Sequence, residues 1–228
     1  VFAVNSRKAG ELTVKFLHGE ASLREAEVMD VDEQAFREDR LSTKLYGYLK
    51  VPYERDSVQP AKGGSFATLD EKTSQDIIAQ YVVEKMEDDC YYILGPGTTV
   101  KAVADRLGIT KTLLGVDLVH KGKVVGVDLN EQQLLKLIDQ KKVRMIVSPI
   151  GRQGFVLGRG NPQLSPAIIR KVGKENIVII ATVNKLASVG YGRPLLVDTG
   201  DLETDRMLSV YTRVITSYNE ETVVKITH

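Results

Sequence analysis

The sequence contains no tryptophan, one cysteine and three histidines among its 228 residues. The absence of tryptophan argues against recognition of RNA or carbohydrate by aromatic stacking. The single cysteine, Cys90, excludes an internal disulfide framework and fits a reducing cytoplasm. The histidines are scattered at positions 18, 120 and 228, so the sequence indicates neither a zinc site nor a catalytic triad.

The chain also lacks a large net charge and a long apolar run. Lysine and arginine number 31 against 30 for aspartate and glutamate. No global field therefore draws the protein to nucleic acid or to an anionic membrane, and any anion site must be local. No stretch approaches the roughly 18 apolar residues that a membrane span requires, and no secretory signal is visible. With 43% hydrophobic residues, we expect a globular cytoplasmic protein with a buried core.

The most informative segment is residues 148–166, which contains four glycines and two arginines. It follows an apolar strand predicted at 143–147 and precedes a helix predicted near 165–172. Glycine lets the backbone approach a ligand closely, and a loop that enters a helix N-terminus favours anions. Arg152 and Arg159 add guanidinium groups suited to phosphate. The same glycines also fit bulges and turns, and exposed arginines also serve solubility, so the residues alone leave both interpretations open.

A second loop, Gly-Pro-Gly-Thr-Thr at 95–99, lies between a predicted strand at 90–94 and a predicted helix. Free amides and the helix dipole make such a loop suitable for a phosphate. The alternative is a plain turn in which Thr98 or Thr99 caps the helix. The loop lacks the third glycine of a dinucleotide fingerprint and a Walker lysine, so the motif is generic.

Several acidic residues are candidates for a site. Asp117 and Asp128 end or interrupt strands, where a carboxylate meets a ribose hydroxyl or a magnesium ion, or simply forms a turn. We favour Asp117 because it follows the 95–99 loop in the order of a βαβ unit. The acidic residues at 25–33 fit a solvated strand edge better than a metal site. Cys90 fits the core better than the role of a nucleophile.

The glycine-rich motifs resemble those of NAD kinases. The order Ser-Pro-x-Gly-x-x-Gly-Phe at 148–155 is similar to the segment with which that family follows a sandwich strand into a loop that touches the dinucleotide. The chain more closely resembles a divergent branch, the ATP-NAD kinase-like proteins, which includes predicted polyphosphate/ATP-NAD kinases and acetoin-catabolism accessory proteins. The pattern of this branch includes Ile-Leu-Gly-Pro-Gly-Thr-Thr and Val-Asp-Thr-Gly-Asp, which occur here at 93–99 and 197–201.

The resemblance spans nearly the whole chain and implies an α/β (α+β) fold. It implies a C-terminal β-sandwich of the NAD kinase type, formed by residues 1–60 and 143–228, with an inserted α/β block at 66–142. A Pro- and Gly-rich linker at 60–65 would separate the first two parts. The implied ligands are ATP or polyphosphate, NAD and Mg²⁺. Because NAD kinases associate through their sandwiches, the resemblance also implies a homodimer or a higher homo-oligomer.

The sequence departs from the NAD kinase pattern at two places. The family's Gly-Gly-Asp-Gly loop, whose aspartate activates the 2′-hydroxyl of the NAD ribose, does not occur. Residues 1–5 look like a strand already in progress, so we expect the C-terminal part of a longer protein, without the catalytic loop. The family also binds nucleotide through an Asn-Glu pair, of which Glu27 matches the glutamate while Ala26 replaces the asparagine.

The predicted function is nucleotide and substrate binding for phosphoryl transfer from ATP or polyphosphate to NAD or a related nucleotide. The alternative is a non-catalytic nucleotide- or sugar-phosphate-binding accessory protein of acetoin catabolism. A sugar-phosphate isomerase is disfavoured because the sequence does not reveal the lysine–carboxylate pair that such chemistry needs. The predicted binding residues are Gly95, Gly97, Thr98, Thr99, Asp117, Ser148, Gly151, Arg152, Gln153, Gly154, Arg159 and Asn161.

Overall fold

The structure is a computed structural model that describes residues 2–3, 6–31, 43–54, 58–59, 69–151, 153–190 and 192–228. The chain divides into two compact units, one of residues 1–66 with 151–153 and one of residues 67–150 with 154–228. The boundary predicted between residues 142 and 143 lies inside the second unit. The linker predicted at 60–65 lies outside the described residues.

The first unit contains one helix and two small antiparallel sheets among its described residues. Its elements are β1 (Phe2–Ala3), α1 (Ser6–Leu17), β2 (Ser22–Val31), β3 (Thr43–Tyr53) and β4 (Val58–Gln59). β1 pairs with β4, and β2 pairs with β3, which places Glu25 opposite Lys50. Glu25, Glu27 and Asp30 are exposed on β2. The other two members of the acidic cluster, Asp32 and Glu33, lie outside the described residues.

The second unit alternates helices and strands. Its elements are α2 (Leu69–Glu84), β5 (Tyr91–Leu94), α3 (Thr98–Arg106), β6 (Asp117–His120), β7 (Lys123–Gly126), α4 (Glu131–Leu137), β8 (Val143–Val147), β9 (Phe155–Leu157), α5 (Pro166–Val172), β10 (Ile177–Ile180), α6 (Val183–Val189), β11 (Leu195–Val197), α7 (Leu202–Leu208), β12 (Tyr211–Ser217) and β13 (Glu220–Thr227). Within the described residues, nine of these strands form one sheet in the order β7-β6-β5-β8-β10-β12-β13-β11-β9. The predicted mixed α/β class is confirmed.

The central strands β5, β8, β10 and β12 run parallel and are covered on both faces. Ile93 and Met145 pack into a core with α4, α5 and α7, whereas Leu94 and Ile146 pack into a second core with α2 and α3. Successive side chains of a strand point to opposite faces of the sheet, so neighbouring residues of β5 and of β8 enter different cores. Burial on both faces explains why β5, β8 and β10 look uniformly apolar in the sequence.

The strands after residue 143 were predicted to complete a sandwich with residues 1–52. In the described residues they instead extend the sheet that begins with β5, because Leu94 of β5 pairs directly with Ile146 of β8. The strands of the first unit pair in two separate two-stranded sheets. An apolar run does not specify its neighbouring strand, so the sequence left this pairing open.

Local signals in the sequence set several element ends. Asn130 caps α4 with a reciprocal capping box, in which its side chain accepts from the amide of Gln133 and the Gln133 side chain accepts from the Asn130 amide. Lys121 and Gly122 form the two-residue turn between β6 and β7, with φ of 51° and 66°. Positive φ at both positions is what a type I′ hairpin turn requires.

Gly158 is required by close packing of the loop that follows β9. Its φ is +94°, and a Cβ at this position would lie 1.8 Å from the carbonyl oxygen of Asp198. Asn161 holds the same loop, because its Oδ1 accepts from the Gly158 amide at 2.9 Å and its Nδ2 donates to the Val156 carbonyl at 2.9 Å. The loop therefore lies against the chain that leaves β11.

We predict that Gly158→Ala lowers the free energy of unfolding by about 3 kcal/mol or more, because the methyl group meets backbone that cannot move aside. The matched control is Gly122→Ala, which also has positive φ but no atom within 4 Å of the added Cβ. It should cost only about 1 kcal/mol. Urea denaturation monitored by circular dichroism gives both values, and equal losses would contradict this account of Gly158.

Candidate functional site

Three connections lie at one edge of the nine-stranded sheet. β5, β8 and β10 run parallel, so their carboxyl ends lie on the same side. Residues 95–97 follow β5, Ser148 follows β8 and Thr182 follows β10 shortly after its end. Ligands of open α/β sheets bind outside the carboxyl ends of the strands. This edge is therefore the candidate site.

The side chain of Lys185 joins two of these connections. Lys185 lies in the first turn of α6, where the hydroxyl of Thr182 caps the helix by accepting from the Lys185 amide at 3.1 Å. The Lys185 Nζ donates to Thr99 Oγ1 at 2.8 Å and to Ser148 Oγ at 3.0 Å. The residue is only 7% exposed. One buried ammonium group thus links the start of α3 to the end of β8.

A buried carboxylate acts on the same ammonium group. Glu71, in the first turn of α2, is 4% exposed. Its Oε1 accepts from Thr182 Oγ1 at 2.7 Å and from Gln75 Nε2 at 3.4 Å. Its Oε2 accepts from Asn184 Nδ2 at 3.5 Å. Glu71 therefore fixes the beginning of α6 and supplies the negative charge that acts on Lys185.

Burial lowers the pKa of the Lys185 ammonium group to about 8, and the charge of Glu71 partly opposes this change. The direction follows from desolvation, which disfavours the charged form of a lysine. A pKa of about 8 still leaves the ammonium form predominant at pH 7. The edge of the sheet therefore holds a positive charge with little access to water, where electrostatic interactions are stronger than at the surface.

The N-terminus of α3 adds positive potential at this edge. Gly97 is the N-cap and provides no side-chain acceptor for the amides of the first turn. The predicted capping by Thr98 or Thr99 is wrong, because both residues lie inside the helix. Thr99 Oγ1 accepts from Lys185, and Thr98 Oγ1 accepts from Gln75 Nε2 at 3.3 Å. First-turn amides and the helix dipole both favour a neighbouring anion.

The glycine-rich loop after β8 is folded back on itself. The amide of Ile150 donates to the Phe155 carbonyl at 2.8 Å, and the amide of Gly154 donates to the Ile150 carbonyl at 2.9 Å. Gly151 and Gln153 belong to the first unit. Gln153 is buried, and its Nε2 has no hydrogen-bond partner among the residues that the structure describes. These backbone hydrogen bonds therefore occupy the Ile150 and Gly154 amides, which a ligand could otherwise have bound.

The two arginines predicted to bind phosphate are Arg152 and Arg159, of which Arg159 follows β9. Arg159 forms an ion pair with Asp198 at 3.7 Å, and its guanidinium lies 4.7 Å from the centre of the Phe155 ring. These contacts give Arg159 a role in packing, beside any role in binding. Arg152 lies outside the described residues.

Asp117 belongs to a buried polar cluster behind the loop at 95–97. Its Oδ1 accepts from the Thr112 hydroxyl at 2.9 Å and from the Asp128 amide at 2.7 Å. Its Oδ2 accepts from the Thr112 amide at 2.8 Å and lies 3.8 Å from Lys111 Nζ. Burial lowers the pKa of Lys111 to about 8, and Asp117 opposes this change. Since Leu113, in the same segment, accepts from the Gly97 amide at 2.8 Å, the cluster supports the loop from behind.

Cavity geometry points to a different place from the chemistry. A pocket of about 410 Å³ is lined by Val183, Leu186, Val189, Arg193 and other, mostly apolar, residues, and Lys185 is not among them. Its lining does not include the buried polar cluster. A binding site combines shape with a few convergent polar groups, and the convergent groups lie at the carboxyl edge.

A comparison with family models decides the family. The model for the ATP-NAD kinase C-terminal domain matches residues 87–226, more than half of the chain. The chain belongs to this family. Membership assigns a nucleotide kinase-like function and confirms the family predicted from the glycine-rich motifs. No curated protein and no solved structure matches the chain.

This kinase-family domain shows neither a membrane span nor a metal cluster within the described residues. Within the described residues, no helix combines the length and the apolar character needed to cross a bilayer. The same residues hold no group of three or more histidine, cysteine, aspartate or glutamate side chains able to bind a metal ion. We therefore assign none of the described residues to the metal ion that the family implies.

The structure brings two of the predicted residues together at a lysine that the sequence analysis did not single out. Thr99 and Ser148 come from the two predicted loops and meet at one ammonium group, whereas Lys185 and Glu71 were not predicted. Lys185 is a charged residue in a largely apolar stretch of the sequence. It follows β10 and lies three residues after Thr182, which caps α6. The spacing between Thr182 and Lys185 was the only feature of the sequence that could have indicated a role for Lys185. Glu71 gave no signal, because an acidic residue in the first turn of a helix is common.

We predict that Asp117→Asn lowers the free energy of unfolding by about 2 to 4 kcal/mol, because the amide group cannot accept from all three donors and Lys111 loses its buried counter-charge. The matched control is Asp105→Asn, which removes the exposed i,i+4 pair with Lys101. It should change stability by about 0.5 kcal/mol or less. Urea denaturation measures both, and a loss for Asp117→Asn as small as that of the control would contradict the assigned role.

Proposed function

We propose that this chain is the nucleotide- and substrate-binding part of an ATP-NAD kinase-like protein, with the ligand at the carboxyl ends of β5, β8 and β10. The proposed reaction is phosphoryl transfer from ATP or polyphosphate to NAD or a related nucleotide. The chain's own residues would bind and orient the ligand. The catalytic base would come from outside this chain, since the sequence contains no Gly-Gly-Asp loop.

The observation that supports the proposal is the meeting of Thr99 and Ser148 at the Lys185 ammonium group. These hydroxyls lie 2.8 and 3.0 Å from the Lys185 Nζ. They come from the two glycine-containing segments that the sequence predicts to bind a ligand. Their convergence at the carboxyl edge is the arrangement expected of a ligand site in an α/β sheet.

The predicted roles of the remaining residues follow the same proposal. Gly95, Gly97 and Gly154 would bring the backbone close to the ligand. Gly151 and Gln153 were also predicted to bind it, but they belong to the first unit. Arg152 belongs to the same stretch of sequence, whereas Arg159 and Asn161 follow β9, which runs antiparallel to β8, so they would contact only a ligand that extends beyond this edge. Asp117 would act mainly by supporting the loop at 95–97, because its two oxygens already accept three hydrogen bonds.

A non-catalytic accessory protein is the second candidate. Ala26, in place of the family's asparagine, favours it. Ala26 pairs with Leu49 across the β2–β3 hairpin, and its neighbour Glu27 is exposed. If this alternative function holds, the same edge of the sheet would bind a nucleotide or a sugar phosphate without transferring a phosphoryl group. The resemblance further leads us to propose a cytoplasmic homo-oligomer for either function.

We expect titration calorimetry on the 228-residue chain to detect binding of ATP or NAD. Ser148→Ala and Thr99→Val should each weaken that binding by about 5- to 10-fold, since each removes one hydrogen bond of roughly 1 kcal/mol or more. Ser74→Ala is the matched control, because the Ser74 hydroxyl is exposed on α2 and donates only to the Asp70 carbonyl. Failure of every adenine nucleotide and dinucleotide to bind would sink the proposal.

A further inference from the structure

Lys185 and the start of α3 bring two positive features together. Thr99 lies in the first turn of α3, and its hydroxyl is 2.8 Å from the Lys185 Nζ. The ammonium group is therefore within hydrogen-bond reach of the helix turn whose amides carry the positive end of the dipole. Like charges repel in a buried setting. An anion placed between them would relieve this repulsion.

The hydrogen bonds of Lys185 are incomplete for an ammonium group. The group has three N–H donors. Among the described residues, its acceptors are two neutral hydroxyls, those of Thr99 and Ser148. Buried donors without acceptors are costly, particularly when charged. An incoming anion would supply the missing acceptor.

The number of donors distinguishes the class of anion. The first turn of α3 offers backbone amides, Lys185 offers an N–H, and the hydroxyls of Thr98 and Thr99 are donors as well as acceptors. Tetrahedral phosphate, with three or more terminal oxygens, uses such a set better than a carboxylate with two. Gly97 and Thr98 are half-buried whereas Thr99, Ser148 and Lys185 are buried. The phosphate would therefore enter at Gly97 and Thr98, with the rest of its molecule outside.

We propose that Lys185, Thr98, Thr99 and the N-terminus of α3 form a phosphate subsite, in which Lys185 is the charged anchor for the phosphate group of a small molecule. The subsite deepens the proposed nucleotide function but does not require it. A nucleotide phosphate and a sugar phosphate share the recognised chemistry. The charge of Glu71 favours the ammonium form of Lys185, and Glu71 Oε1 accepts hydrogen bonds from Thr182 and Gln75.

The test compares the 228-residue chain with Lys185→Met by calorimetry at pH 7, using inorganic phosphate, ribose 5-phosphate, AMP and NAD as separate ligands. Phosphate should bind the unaltered chain, and Lys185→Met should bind it at least about 10-fold more weakly, because a charge-assisted hydrogen bond is lost. The matched control is Lys123→Met, an exposed lysine on β7, and it should bind phosphate with unchanged affinity. Thr99→Val provides a second variant should Lys185→Met not fold, and it too should weaken phosphate binding.

The outcomes separate this inference from the proposed function. Binding of phosphate or ribose 5-phosphate that depends on Lys185, without binding of AMP or NAD, supports the subsite and removes the nucleotide function. Binding of NAD that is equal in the unaltered chain, Lys185→Met and Thr99→Val overturns the subsite and leaves the nucleotide function standing. Absence of binding by all four ligands overturns the subsite.

Discussion

The structure of the second unit depends on one buried cation at the edge of a parallel sheet. Lys185 is held where β5, β8 and β10 end, and its ammonium group ties the start of α3 to Ser148. A desolvated charge is tolerated only where hydrogen bonds and a counter-charge surround it. Glu71 supplies the counter-charge, and Thr182 links Glu71 to the helix that carries Lys185. This constraint fixes the relative positions of three loops.

A second buried polar cluster supports that edge, and a polar corner lies at the opposite end of the sheet, because β11 runs antiparallel to β8 and β10. The Lys111–Asp117 cluster holds the segment that accepts from the Gly97 amide. The Val-Asp-Thr-Gly-Asp motif at 197–201 forms a corner, in which Asp201 caps α7 and Asp205 accepts from Thr199. These residues, which contributed to the family resemblance, thus act through packing and capping.

The sequence predicted the elements of this fold better than their arrangement. Caps and turns are local, so the Asn130 cap and the turn at 121–122 follow from their own residues. Strand pairing is not local, and the apolar runs of β5, β8 and β10 would fit either a sandwich or a parallel sheet. The same limit applies to the site. The loops of Thr99 and Ser148 were recognisable by their glycines, whereas Lys185 and Glu71 acquire their chemistry only from burial beside each other.

The most direct test of the central claim is the pKa of the Lys185 ammonium group, measured by NMR with and without saturating phosphate and assigned with Lys185→Met. The account predicts a value near 8 in the free protein and a rise when phosphate binds, because an anion favours the charged form. Lys111, whose pKa is also lowered to about 8, is the internal control and should not respond to phosphate. An ordinary lysine pKa at Lys185, unchanged by phosphate, would contradict the claim.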